Sequence, residues 1–167
     1  MDKETTRGVT LILGKRRSGK TTKAKEIIQY SAKPEQKIYV VTSSSRTEEY
    51  EDCSFDTYVY PFYILSNSSL EDVIDVFKEK GLETQVGTRY VILDNVSHTL
   101  IGKDLPLVSR KYNIRFIVIS QEFRYLADSI DCIYGMGITT DEERNRIKTN
   151  LGIKLDDYIT HFKYDLS

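Results

Sequence analysis

The sequence predicts a three-layer α/β domain built on a mostly parallel sheet. Short apolar runs alternate with amphipathic stretches along the chain, the pattern of strands covered by helices. Its 167 residues are the length of one domain and enough to bury a core without metal or disulfide staples. Hydrophobic residues make up 40% and charged residues 29%, which excludes a disordered chain. No internal repeat or low-complexity tract interrupts the pattern. We therefore expect a single domain over residues 1–167.

Each element follows from a local signal. Val9-Thr10-Leu11-Ile12-Leu13 lies between Gly8 and Gly14 and reads as a buried strand. A helical stretch follows, with Ala24, Ile27 and Ile28 on one side and lysines on the other. Lys37 to Thr42 reads as a second strand. Ser43 to about Thr57 is polar and acidic and reads as a surface loop. Tyr58 to Leu65 reads as a third strand, pushed towards an edge or a bulge by Pro61. Leu70, Val73, Ile74 and Phe77 share a helical face, with Ser69 as N-cap and Gly81 as terminator. Arg89 to Asp94 is a buried strand ending in an acid. A less regular helix spans roughly Leu100 to Tyr112, its start limited by Pro106. Arg115 to Gln121 is the next strand, and Ile130 to Ile138 the last core strand. Thr140-Asp141-Glu142-Glu143 forms a capping box that opens a helix, which Gly152 closes. Tyr158 to Tyr164 alternates enough to add an edge strand.

Composition narrows the function classes. The 24 basic residues nearly cancel the 25 acidic ones, so no global positive field exists to attract nucleic acid; such binding has to come from local patches or from assembly. Cys53 and Cys132 have no CxxC spacing and only His98 and His161 beside them, which matches no zinc pattern and reads as two reduced thiols. The N-terminus is polar, without an apolar signal core, and no apolar run approaches the roughly 18 residues of a membrane span. The expectation is a soluble intracellular protein.

The chemistry concentrates at the end of the first strand. Gly14-Lys15-Arg16-Arg17-Ser18-Gly19-Lys20-Thr21 satisfies G-x-x-x-x-G-K-[ST] in full, between a strand and a helix. Its glycines let successive N–H groups face an anion, and the helix N-terminus adds partial positive charge. Lys20 is placed for the β- and γ-phosphates, and the Thr21 hydroxyl for Mg²⁺. With Thr22, residues 14–22 form the expected nucleotide-binding segment. A glycine turn that happens to carry a lysine is the bland alternative, and motif and context together disfavour it.

Asp94 ends the Val91-Ile92-Leu93 run and is the matching metal-shell acid, since a carboxylate at the carboxyl end of a parallel strand lies on the ligand edge. ATP and Mg²⁺ are thus the expected cofactors. The following residue is Asn95, where many P-loop ATPases carry an acid that polarises the attacking water. An amide orients water but cannot take its proton. Hydrolysis is expected to be slow unless another carboxylate helps, and Glu122 is the candidate. Gln121, at the end of the next strand, is placed to sense the γ-phosphate or hold the lytic water. Arg110, Arg115 and Arg124 surround that strand, and one of them could supply charge to a neighbour's phosphate. For each of these residues a satisfied turn or a solvated surface role is the structural alternative.

The order of elements resembles the poxvirus-type genome-packaging ATPases of large DNA viruses, in the FtsK–HerA branch of P-loop motors. The resemblance runs from about Gly8 to Leu151. It rests on Gly14–Thr21, on Asp94-Asn95-Val96 and on Ser109-Arg110-Lys111-Tyr112-Asn113. It extends through Phe116–Gln121, Gln121-Glu122-Phe123-Arg124-Tyr125 and the acidic helix start at Thr140. The resemblance implies a three-layer P-loop NTPase fold of the RecA type. The strand ending at Gln121 would lie between a central P-loop strand and the Asp94 strand. It implies an ATP-driven motor that forms a homo-oligomeric ring and moves double-stranded DNA into a capsid, with capsid proteins as further partners. Host cytoplasm or virion would be its location. Arg110 would be the arginine finger and Gln121 the sensor. The chain departs from the family at Asn95 and in carrying Lys15-Arg16-Arg17 where small residues are usual.

Two other classes share the P-loop. A nucleoside or nucleotide kinase needs an acceptor site and often a basic lid, and the acidic Ser43–Thr57 loop argues against one there. A nucleotide-gated binding module with weak hydrolysis is compatible with Asn95. A GTPase switch is disfavoured, because Asp94-Asn95-Val96-Ser97 is not D-x-x-G.

Overall fold

The structure is a computed structural model that describes residues 8–31, 38–42, 54–55, 58–59, 62–66, 89–94, 105–121 and 130–165. Apolar runs too short for helices become strands β1 (Gly8–Gly14), β2 (Ile38–Thr42), β5 (Phe62–Ser66), β6 (Arg89–Asp94), β7 (Ile114–Ser120) and β8 (Cys132–Met136). With β9 (Phe162–Asp165) they form a seven-stranded sheet in the order β5-β2-β6-β7-β1-β8-β9. All neighbours pair in parallel except β8 and β9, which are antiparallel. As expected, β7 lies between β1 and β6. The strand at the sheet's midpoint is β7, not β1, because β9 adds only one short strand beyond β8.

Helices cover both faces. α1 (Lys20–Ser31) packs Ala24 and Ile28 against Ile12, Ile92, Ile117 and Ile119. On the other face, α2 (Leu105–Tyr112) and α3 (Asp141–Leu151) place Leu105, Tyr112, Ile147 and Leu151 against Leu11, Val91, Phe116 and Val118. The alternation of the parallel strands thus feeds two buried cores, one per face. α3 is capped as its sequence predicts. The Thr140 side chain accepts from the Glu143 N–H, the Glu143 carboxylate accepts from the Thr140 N–H, and Gly152 closes the helix at a left-handed φ of 71°.

Two expectations need correction. The loop from Ser43 contains a short strand, β3 (Ser54–Phe55), paired antiparallel with β4 (Tyr58–Val59) in a separate ribbon. The strand expected over Tyr58–Leu65 is split into β4 and β5, because Pro61 lies between them and has no N–H for a ladder. The break sends the two halves to different sheets. β5 takes the edge of the main sheet, as Pro61 implied. The helix expected over Ser69–Gly81 and the start of the Leu100–Tyr112 helix lie outside the described residues.

Candidate functional site

The carboxyl edge of the sheet is shaped by close packing of β1 against β8. A side chain at Gly14 would meet the Met136 carbonyl oxygen, with Ser18 Oγ 2.7 Å away, so only glycine fits where β1 turns into the loop. The Ser18 N–H then donates to the Lys15 carbonyl at 3.3 Å, closing a turn over Lys15–Ser18. Arg17, third in that turn, has φ 65°, and Gly19 has φ 91°. The Lys23 N–H donates to the Gly19 carbonyl, which starts α1.

Lys20 is buried to 6% exposure, and its Nζ donates to the carbonyls of Gly14 and Lys15, both at 2.7 Å. A buried ammonium is costly unless hydrogen-bonded, so the loop's own carbonyls hold it in place. Thr21 is half-buried and Thr22 exposed in the first turn of α1. Arg16 and Arg17 are exposed at the loop tip, and neither has a hydrogen bond or ion pair among the described residues. The Ser18 hydroxyl is buried without a partner in the same set.

Sequence reasoning missed the wall beside this loop. Lys15 Nζ donates to Thr139 Oγ1 at 2.7 Å across 124 residues of chain. Thr139 lies between β8 and α3, and its N–H donates to the Glu143 carboxylate, as do the Thr140 N–H and hydroxyl. Partial burial pushes the Glu143 carboxyl up. The hydrogen bonds from Thr140 and Thr139, with the nearby Lys15 charge, outweigh it and hold the group below the usual glutamate range. The capping box was legible, but its link to the loop was not. No local pattern tells which distant residue a lysine will reach.

Asp94 is fully buried at the carboxyl end of β6. It shares the face of Ile92, which packs against the α1 side of the sheet. Across β7 it is level with Ile119 and Ile12, so about 10 Å separates its strand from β1. Gln121 is exposed one residue past β7, where Ser120 pairs with Leu13 of β1. The structure therefore brings Lys20, Thr21, Asp94 and Gln121 to one edge. It does not bring Arg110 there. Arg110 is exposed in the last turn of α2, next to Ser109, whose hydroxyl accepts from the Gly8 N–H at the opposite edge. The seven residues of β1 put about 20 Å between the two edges, so Arg110 does not serve its own loop. Asn95 and Glu122 lie outside the described residues.

A parallel sheet with an extra strand between the glycine-loop strand and the acid-bearing strand, and a lysine cradled at a helix start, defines a P-loop ATPase domain. The family model described as "AAA domain" matches residues 6–119, and the chain belongs to that family. The fold is shared with the genome-packaging NTPase B204 of Sulfolobus turreted icosahedral virus 2, solved with AMPPCP. The TM-score is 0.63 at 12% identity, over 97% of this chain and 94% of that one. The same protein with sulfate gives 0.64 at 13% identity, over 97% and 93%. The DNA-packaging ATPase B204 of Sulfolobus turreted icosahedral virus gives 0.61 at 13%, over 95% and 92%. No curated protein sequence matches the chain significantly.

Proposed function

We propose that the chain is an ATP-hydrolysing motor that drives double-stranded DNA into a viral capsid, working as a homo-oligomeric ring. The observation that carries this reading is the extent of the likeness. It spans nearly all of both chains when the partner is a genome-packaging NTPase solved with an ATP analogue. Capsid proteins would be further partners, in host cytoplasm or virion. Among the described residues no helix is long and apolar enough to cross a membrane.

In this reading the loop's N–H groups and Lys20 hold the β- and γ-phosphates, with Lys20 exchanging its carbonyl partners for phosphate oxygens. Thr21 and Asp94 offer a hydroxyl and a carboxylate, the hard oxygen donors that suit Mg²⁺, so the residues present fit that ion. Bound there, Mg²⁺ would neutralise phosphate charge. Gln121, with Asn95 or Glu122, orients water in line with the bond from the γ-phosphorus to the leaving ADP oxygen. Arg110, at the far edge, would act on a neighbouring subunit's phosphates in a ring. Asn95 favours slow turnover, because it cannot accept the water's proton.

The test is phosphate release from MgATP with and without double-stranded DNA, alongside mass measurement in solution. DNA-stimulated hydrolysis by an oligomer is expected. A monomer that phosphorylates a nucleoside and ignores DNA would replace the motor with a kinase. Tight binding with almost no single-turnover product would leave a nucleotide-gated module.

A further inference from the structure

On the ATPase reading above, we infer that Lys15 is a positioning residue. Its ammonium, tied to Thr139, braces the phosphate loop and the Lys20 cradle from the β8 side, and it stays part of the scaffold when nucleotide binds. Lys15 stands where the resembling family carries a small residue, so its side chain needs an account of its own. That side chain leaves the loop. Nζ donates to Thr139 Oγ1 at 2.7 Å, in the turn between β8 and α3.

Both ends of Lys15 are engaged. Its carbonyl accepts from the Ser18 N–H at 3.3 Å, which closes the loop turn, and from Lys20 Nζ at 2.7 Å. A displaced Lys15 therefore displaces one of the two carbonyls on which the buried Lys20 ammonium rests. The anchor is itself fixed. The Thr139 N–H donates to the Glu143 carboxylate at 3.3 Å, and the capping box locks Thr140 to the same carboxylate. Packing follows the hydrogen bonds. A Cβ at Gly137 would stand 3.1 Å from Ser18 Cβ and 3.8 Å from Lys15 Cε, so the turn after β8 lies against the loop.

Strand order sets the direction of the brace. β7 and β8 flank β1 on opposite sides. Asp94 and Gln121 lie on the β6–β7 side, whereas the Lys15 ammonium is held on the β8 side. The tie thus holds the loop from the flank opposite the metal-shell acid. Ordering a loop costs conformational entropy, and a tie in place before binding removes part of that cost from the binding step. The gain is shared by ground and transition states, so it shows in KM more than in kcat.

The experiment compares Thr139→Val, Thr139→Ser, Lys15→Met and the Thr139→Val/Lys15→Met pair with the parent in full-length protein. The temperature is one at which circular dichroism shows every variant folded. Thr139→Val keeps all the loop's charges and removes only the hydroxyl that receives Lys15. Its KM for MgATP is expected to rise about fivefold, with a smaller change in kcat. Thr139→Ser returns the hydroxyl and should return KM to near the parent's. Lys15→Met should raise KM at least as far, because a cation is lost with the tie. In the pair, Thr139→Val should add nothing to Lys15→Met, the mark of two residues acting through one contact. Parental KM in Thr139→Val would overturn the inference and leave the ATPase reading standing. A lowered KM would overturn it too, by showing that a freed Lys15 binds phosphate. A further loss in the pair would overturn it by showing that Thr139 acts without Lys15. A well-folded parent that hydrolyses neither ATP nor GTP would overturn both readings.

Discussion

The two edges of the sheet are built on opposite principles. At the amino edge, distant side chains satisfy the first backbone groups of β1. The Gly8 N–H donates to Ser109 Oγ, the Val9 N–H donates to the Asp131 carboxylate, and the Ser109 hydroxyl donates on to the Ile114 carbonyl. At the carboxyl edge, Arg17 is left-handed, the Ser18 hydroxyl is buried without a partner among the described residues, and Lys20 is buried on loop carbonyls. One edge closes hydrogen bonds and anchors the strands. The other carries the loop proposed to bind phosphate. Strand anchoring and the proposed ligand chemistry are thus separated by the length of β1, about 20 Å.

Substitutions at each edge should therefore differ in kind. The largest effect is expected for Lys20→Ala, which removes the buried ammonium at the proposed phosphate site. Hydrolysis should fall about a thousand-fold, equivalent to about 4 kcal/mol of transition-state stabilisation, while circular dichroism stays that of the parent. Phosphate release measures it, and near-parental turnover would dissolve the contrast between the edges. Gly14→Ala comes next. Its Cβ would press on the Met136 carbonyl, which belongs to a paired strand and cannot step aside cheaply. We expect about 3 kcal/mol of destabilisation in chemical denaturation, with nucleotide binding lost as well, because here packing and site coincide.

These two positions also show how far the sequence could be read. The places of Gly14, Lys20 and Asp94 at the carboxyl edge were legible because a short motif and a strand-ending acid are local patterns, and parallel strands buried on both faces leave continuous apolar runs. The β7 insertion between β1 and β6 followed from the family resemblance, not from periodicity. The division at Pro61 was half legible: its missing N–H predicted an edge, but not that β4 would leave for another sheet. The pins at the amino edge were not legible at all. Ser109 and Asp131 reach Gly8 and Val9 across 101 and 122 residues, and nothing local marks which polar residue will satisfy a remote N–H. The left-handed φ of Arg17 was hidden for a related reason: the motif admits any residue there, so composition does not report conformation.

The amino edge supplies the converse prediction. Ser109→Ala should cost about 2 kcal/mol, since it strands a donor at Gly8 and an acceptor at Ile114 around a buried position. Thermal unfolding reads the loss. MgATP affinity at a temperature where the variant is folded should stay parental. A large drop in affinity would show that strain at one edge travels to the other. Thr140→Ala, at the start of α3, should cost about 1 kcal/mol through loss of its cap.

The smallest effect tests whether the α3 start belongs to the phosphate edge or only borders it. The folded-state carboxyl of Glu143 lies below its ordinary value of 4.5. A carboxylate so depressed stabilises the fold above that value, and the contribution fades as pH falls through the folded pKa. The parent should therefore lose more Tm between pH 6 and pH 3 than Glu143→Gln does, by a small margin, because the group is only partly buried. Lys15 sharpens the point, since its charge helps hold the carboxyl down and its ammonium ties Thr139 to the loop. If phosphate draws Lys15 away on nucleotide binding, the Glu143 titration should move up towards its ordinary value in the MgATP complex, which NMR of the side-chain carboxyl would detect. An unmoved titration would assign the Lys15–Thr139 contact to the scaffold and return α3 to the structural half of the molecule.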